Sequence, residues 1–158
     1  ITLSSTGAVN LDVTPTQSGA CSIASDAVSV LTDSTSGYSV QLASSSTDTN
    51  LVNGSSTIAT SSGTAASPAI MNPNAWGWRI DGYSGFGSGP TSAQSNIAAP
   101  ISSFAGVPAS NVAPATIKNS SSAANPAVIT TVWYGLCADT SVLNGTYTTQ
   151  VTYTATTN

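Results

Sequence analysis

Thr146-Tyr147-Thr148-Thr149-Gln150-Val151-Thr152-Tyr153-Thr154-Ala155 is the stretch that decides the fold class. Tyr147, Thr149, Val151, Tyr153 and Ala155 fall on one side, and Thr146, Thr148, Gln150, Thr152 and Thr154 fall on the other. A period of two marks a half-buried β-strand, and β-branched and aromatic side chains suit its pleated surface. Asn144-Gly145 supplies a turn just before it. Upstream, Val128 to Cys137 is a mostly apolar run of β-branched and aromatic residues, the pattern of a central strand buried on both faces.

The same alternation recurs toward the N-terminus. Ile1 and Leu3 alternate with Thr2 and Ser4. After Gly7, the set Val9, Leu11, Val13 alternates with Asn10, Asp12, Thr14 until Pro15 stops it. Val28 and Val30 flank Ser29. Beyond a turn around Gly37, Tyr38, Val40 and Leu42 alternate with Ser39 and Gln41, so the two runs read as a hairpin. Trp76-Gly77-Trp78-Arg79-Ile80 reads as a further strand whose aromatics cap or fill the core.

The middle carries weaker signals. Residues 43–75 are rich in Ser, Thr and Asn, with one short apolar pair at Ile58-Ala59. Residues 82–127 contain Pro90, Pro100, Pro108, Pro114 and Pro126. A structureless loop of that length is unusual in a compact domain, so short strands are expected around Ile101–Phe104 and Thr116–Lys118. Helix formers such as Glu, Lys and Met are nearly missing, and no internal repeat is visible. The expectation is an all-β chain. It is read as a single β-sandwich domain over residues 1–158, Ig-like or jelly-roll, with long Ser/Pro/Gly-rich loops and one disulfide.

Composition narrows the function. Charged residues make up 5% of the 158, with net charge −4: Arg79, Lys118, six Asp, no Glu and no His. Two isolated cations cannot neutralise a run of phosphates, so nucleic acid is excluded as a partner, and so is a polybasic membrane patch. Ser and Thr together fill about a third of the chain, a hydroxyl-rich surface that suits an extracellular or cell-surface location. Low charge also means little self-repulsion, which favours packing against identical copies. No apolar stretch reaches membrane-span length, so no membrane insertion of the mature chain is expected. The chain opens at Ile1 with no signal peptide, and it reads as a mature form whose targeting segment has been removed.

Cys21 and Cys137 are the only cysteines, and their spacing suits neither a metal knuckle nor a redox pair. In an oxidising compartment they most simply form one long-range disulfide, which in the chain-entropy model stabilises by roughly 4–5 kcal/mol. Two free buried thiols are the alternative.

Catalytic chemistry finds little support. General acid–base work usually falls to His or to a carboxylate pair with separated pKa values. The chain has no His, and Asp12, Asp26, Asp33, Asp48, Asp81 and Asp139 are scattered, mostly beside turns. Ser84 in Gly82-Tyr83-Ser84-Gly85-Phe86 misses the nucleophile elbow at Phe86, and Gly85 to Pro90 fails the dinucleotide pattern. Asp48-x-Asn50 begins a calcium-loop pattern but lacks a ligand at Val52 and the closing Glu. No enzyme activity, metal or cofactor is therefore expected. Lys118 is a candidate for an internal Lys–Asn isopeptide bond or, more simply, a solvated lysine. Asn53, Asn119 and Asn144 head glycosylation sequons of the kind a Ser/Thr-rich chain produces by chance. Trp76, Trp78 and Tyr83 could stack on sugar rings as a glycan-contact face, or fill the core.

Two segments carry a resemblance. Leu136-Cys137-Ala138-Asp139 through Gly145-Thr146-Tyr147 into Thr148–Ala155 resembles the closing hairpin of prokaryotic surface β-sandwich proteins. The N-terminal order of an alternating strand, a Cys, and then Gly37-Tyr38-x-Val40-x-Leu42 is similar to that of pilus and fibre subunits. Spore-coat-U-like pilins and camelysin/TasA-like fibre proteins share parts of this plan. No LPxTG-type sorting signal is present. The resemblance implies an extracellular filament subunit that polymerises head to tail by donor-strand complementation, its partners being identical subunits. Residues 1–14 would be the donor, with Ile1, Leu3, Val9, Leu11 and Val13 as plugs. The alternatives are that this strand pairs within its own body, or that the chain is a monomeric adhesin or carbohydrate-binding module meeting host or cell-surface glycans.

Overall fold

The computed structural model describes residues 1–158 and is all-β, without a helix. Twelve strands follow in order. They are β1 (Thr2–Ser4), β2 (Ala20–Thr32), β3 (Tyr38–Ser44), β4 (Leu51–Asn53), β5 (Ser56–Thr60) and β6 (Ala69–Met71). Then come β7 (Ala75–Arg79), β8 (Gln94–Ala98), β9 (Ile101–Phe104), β10 (Ala115–Ser120), β11 (Ala124–Ala138) and β12 (Val151–Thr157).

The two longest strands, β2 and β11, form the spine. They run antiparallel from Ala20↔Ala138 to Val30↔Val128, with a register shift between Val128 and Ala124. On either side the main sheet continues in the order β1-β2-β11-β7-β5-β4, and β8 shares the outer edge of β2 with β1. A three-stranded sheet, β10-β3-β12, and a two-stranded one, β6-β9, complete the body. The body is thus a curled set of three sheets, where the sequence suggested one two-sheet sandwich. The cause is readable in β2 and β11, whose outer faces are apolar at one end and need cover of their own.

The inner face meets β10-β3-β12. Val28, Val30, Val132, Tyr134, Trp76, Trp78 and Ile80 from the main sheet pack there with Tyr38, Val40, Leu42 and Ile117. The outer face carries Cys21, Ile23, Trp133 and Cys137, which pack under Met71, Ile101 and Phe104 of the small sheet. Gly135 lies beneath that cover. A Cβ there would stand 2.7 Å from the Phe104 ring and 2.9 Å from Met71 Cε, so the close approach needs glycine.

The disulfide forms between Cys21 and Cys137, which face each other in register on β2 and β11, Cα atoms 4.0 Å apart. It staples neighbours within one sheet.

Several expectations need correction. The runs at Val28–Val30 and Tyr38–Leu42 do not pair as a hairpin, because β3 bonds only β10 and β12. The Asp33–Gly37 turn instead carries the chain across the core, so the apolar sides of β2 and β3 face each other through it. Gly37, at φ +92°, allows this crossing, since a Cβ there would sit 2.0 Å from the Ser120 carbonyl oxygen. The C-terminal ladder starts only at Val151, although half-burial alternates from Tyr147 onward. Before it, Thr148 exchanges two backbone bonds of 3.0 Å with Val52. The strands expected near Ile101–Phe104, Thr116–Lys118 and Trp76–Ile80 are present as β9, β10 and β7.

Candidate self-assembly edge

Residues 1–15 lie along the rim of the body and are held there in an uneven way. β1 adds to β2 through Thr2↔Leu31, Leu3↔Val30 and Ser4↔Ser29. The donor-strand candidate therefore rests on its own body in this structure. Val9–Val13, expected as a strand, forms no ladder. The reason is the edge it would need. β8 occupies β2 at Ala20–Ile23, and Gly7 at φ +99° turns the chain away after β1.

Side chains do the fastening instead. Thr6 donates its N–H (2.9 Å) and its Oγ1 hydroxyl (2.6 Å) to Asp26 Oδ1, and Thr6 Oγ1 accepts from the Ala27 N–H at 3.1 Å. Farther on, Ser22 Oγ donates to the Asp12 carbonyl at 2.6 Å, and the Thr14 N–H reaches Asn96 Oδ1 at 2.7 Å. Burial nevertheless keeps the strand-like period. Leu3, Val9 and Leu11 pack half-buried against the main core, Val13 is half-buried, and Asn10, Asp12 and Thr14 are exposed. Ile1 is 53% exposed.

Asp26 was missed as anything but a turn residue. It sits mid-strand, in phase with Val28 and Val30, and is only 3% exposed. That phase was the available signal: a carboxylate on the apolar side of an alternating run has to find partners inside. Behind it, Tyr134 and Tyr153 share a hydroxyl bond of 2.7 Å across the core. Burial raises the pKa of both, and at Tyr153 the neighbouring Tyr134 and Asp26 raise it further. Both phenols thus keep their protons, and one of the two hydroxyls donates to the other.

Replacing Thr6 with Val keeps shape and removes the hydroxyl. A hydrogen bond to a charged group is worth roughly 1.5–3 kcal/mol. Loosening the segment by about 2 kcal/mol is expected to speed amide exchange in the β1–β2 ladder about 30-fold, while the β2–β11 ladder keeps its protection. Unchanged exchange in β1 would show that Thr6 does not hold the segment.

The other residues singled out in the sequence lie elsewhere. Trp76 and Trp78 are core residues, 3% and 0% exposed, with their indole N–H groups bonded to the Thr49 and Gly106 carbonyls. This corrects them as a glycan-contact face, because neither ring turns a face to solvent. Tyr83 is half-buried, and burial raises its pKa. Asp33, Asp48, Asp81 and Asp139 accept bonds from Asn125, Asn50, Gly89 and Ser141 respectively, as turn-fixing carboxylates do. Arg79, read in the sequence only as an isolated cation on a strand, is buried on β7, and its hydrogen bonds all go to backbone carbonyls.

Lys118 lies on β10 and, with Ile80, Asp81, Tyr83, Ile117, Ile129 and Trp133 among others, lines an open groove of about 520 Å³. No Asn or Asp side chain bonds to it.

Compared with known proteins, the chain matches no family model, no curated protein and no solved structure at a significant level.

Proposed function

We propose that this chain is the repeating structural subunit of an extracellular filament, joined head to tail when the N-terminal strand of one copy completes the sheet of the next. The observation that carries this reading is the state of residues 1–15. They form an extended segment with alternate apolar side chains, tied to the body by three ladder positions and a few side-chain bonds. A short strand at a sheet margin is the kind of element that serves β-strand addition, where main-chain bonds give affinity and alternate side chains give register. A joint between two different surfaces does not close on itself, and it propagates as an open fibre.

A structural role without catalysis belongs to the same reading. So does a location outside the cell, since disulfides persist in oxidising compartments and the surface is poor in charge. Within it, the half of the body where β10-β3-β12 faces β2 and β11 serves as an Ig-like sandwich. The competing role of a monomeric adhesin or carbohydrate-binding module would need Trp76 and Trp78 on the surface, and only Tyr83 of the three residues is partly open.

Deleting residues 1–13 tests the proposal. Electron microscopy of the full chain is expected to show regular fibres. The shortened chain is expected to keep its β-sheet circular dichroism signal and to sediment as a monomer. A full chain that stays monodisperse near 15.6 kDa at every concentration would remove the filament reading.

A further inference from the structure

We infer that the acceptor for this joint is the unpaired edge of β11 at residues 128–132, and that it receives β1 of a second copy edge to edge; this rests on the filament reading above.

β11 is long and β7 is short. Their ladder runs from Cys137↔Ala75 to Trp133↔Arg79 and stops, because the chain turns away after Arg79. Val128-Ile129-Thr130-Thr131-Val132 is therefore paired to β2 on one side and bare on the other.

The alternation of backbone groups says which are bare. In an antiparallel ladder the N–H and C=O of one residue point the same way, and those of its neighbours point the opposite way. Trp78 exchanges two 2.9 Å bonds with Ala105, away from β11, so Arg79, Gly77 and Ala75 face β11. Their partners Trp133, Gly135 and Cys137 face β7, and the Cys137 carbonyl indeed accepts from the Asn74 N–H at 2.8 Å. By the same parity, Thr131 and Ile129 aim their N–H and C=O groups into the open edge.

The opposite margin of the same sheet carries a matching edge. Cys21 must face away from β11, and so must Ser29 and Leu31. Ser4 and Thr2 therefore bond β2, and Leu3 turns its N–H and C=O outward. The two bare edges stand at one level, since Leu3 and Val128 both oppose Val30. β1 runs parallel to β11, so copies related by translation would meet in a parallel pair and continue the sheet from subunit to subunit.

Surface chemistry agrees with this occupant. Ile1 (53%), Leu31 (44%) and Ile129 (64%) are among the few large hydrophobics left exposed, and they stand beside these two edges. Neither edge segment bears a charged side chain, so no like-charged side chains oppose each other across the ladder itself. Exposed edges are usually blunted by lysine or proline, and Val128–Val132 has neither.

The test combines two measurements on the full chain. Hydrogen exchange should show the Ile129 and Thr131 amides unprotected in monomer and at least tenfold slower in fibres. The double variant Ile129→Lys/Thr131→Lys, two exposed positions, should melt within about 4 °C of the parent yet lose at least tenfold in fibre yield. Thr131→Pro, which removes one edge donor, should do the same. Fibres that still form from the lysine variant, with both amides unprotected, would place the joint elsewhere and leave the filament reading standing. A parent chain that never polymerises would overturn both.

Discussion

Replacing Cys21 and Cys137 together by alanine is expected to lower unfolding stability by about 4 kcal/mol, read as a shift of the urea midpoint. The bond closes a loop with a sequence separation of 116. In the chain-entropy account, freeing such a loop gives the unfolded chain most of that free energy, and the folded body changes little. The site is compatible with this, because the two residues oppose each other in a ladder that exists with or without the bond. Both are fully buried beside Ile23, Met71 and Trp133, so alanine also leaves a small void there. The slope of stability against urea should rise, because an uncrosslinked chain exposes more surface on unfolding. A loss under about 1 kcal/mol would show that the unfolded chain stays compact without the bond.

Arg79→Met is expected to cost about 3 kcal/mol and to loosen one loop selectively. The guanidinium donates to the Ser102 carbonyl at 3.2 Å and to those of Phe86, Gly87 and Ser88 at 2.9, 3.3 and 3.2 Å. Its carbon lies 5.9 Å from the Phe86 ring centroid and 5.8 Å from that of Phe104. Burial lowers its pKa and nearby Asp81 opposes that shift, yet a guanidinium stays charged throughout the working range. Methionine fills the volume but leaves those carbonyls without a donor, and some can turn to water, so the bond energies do not simply add. Lysine should not rescue, because a single ammonium cannot span the fork. The loop from Asp81 to Pro90, which also forms one wall of the groove, should show the largest gain in amide exchange. A variant as stable as the parent would mean that water already serves these carbonyls.

The sequence made the strands legible and left their neighbours hidden. Alternation at Tyr38–Leu42 and Tyr147–Ala155 identifies which side chains turn inward, and the structure buries those sides. Periodicity says nothing of which strand lies alongside, which is why Val28–Val30 and Tyr38–Leu42 look like a hairpin and are opposed layers. Strands β4, β6 and β8 escaped notice because they are only three to five residues long, too short to show a period, and their pairing is imposed by the chain around them. At the candidate site, Leu3, Val9 and Leu11 were visible as alternate apolar positions. The bare edge of β11 was not, since it depends on where another strand stops. One clue was present: the run at Trp76–Ile80 is half as long as the run at Val128–Cys137 that it flanks.

The placement of the sulfur bridge has a topological result. It closes a covalent ring from Cys21 to Cys137 that contains β3 through β10, while β1 and β12 hang outside as free tails. A protease that nicks the Ser-rich connections inside the ring opens it without releasing a fragment, because the ends remain tied through the spine. A cut between Ser4 and Ala20 severs the N-terminal strand from everything else. The one exposed stretch whose cleavage detaches a strand on the N-terminal side is thus the stretch proposed to reach the neighbour.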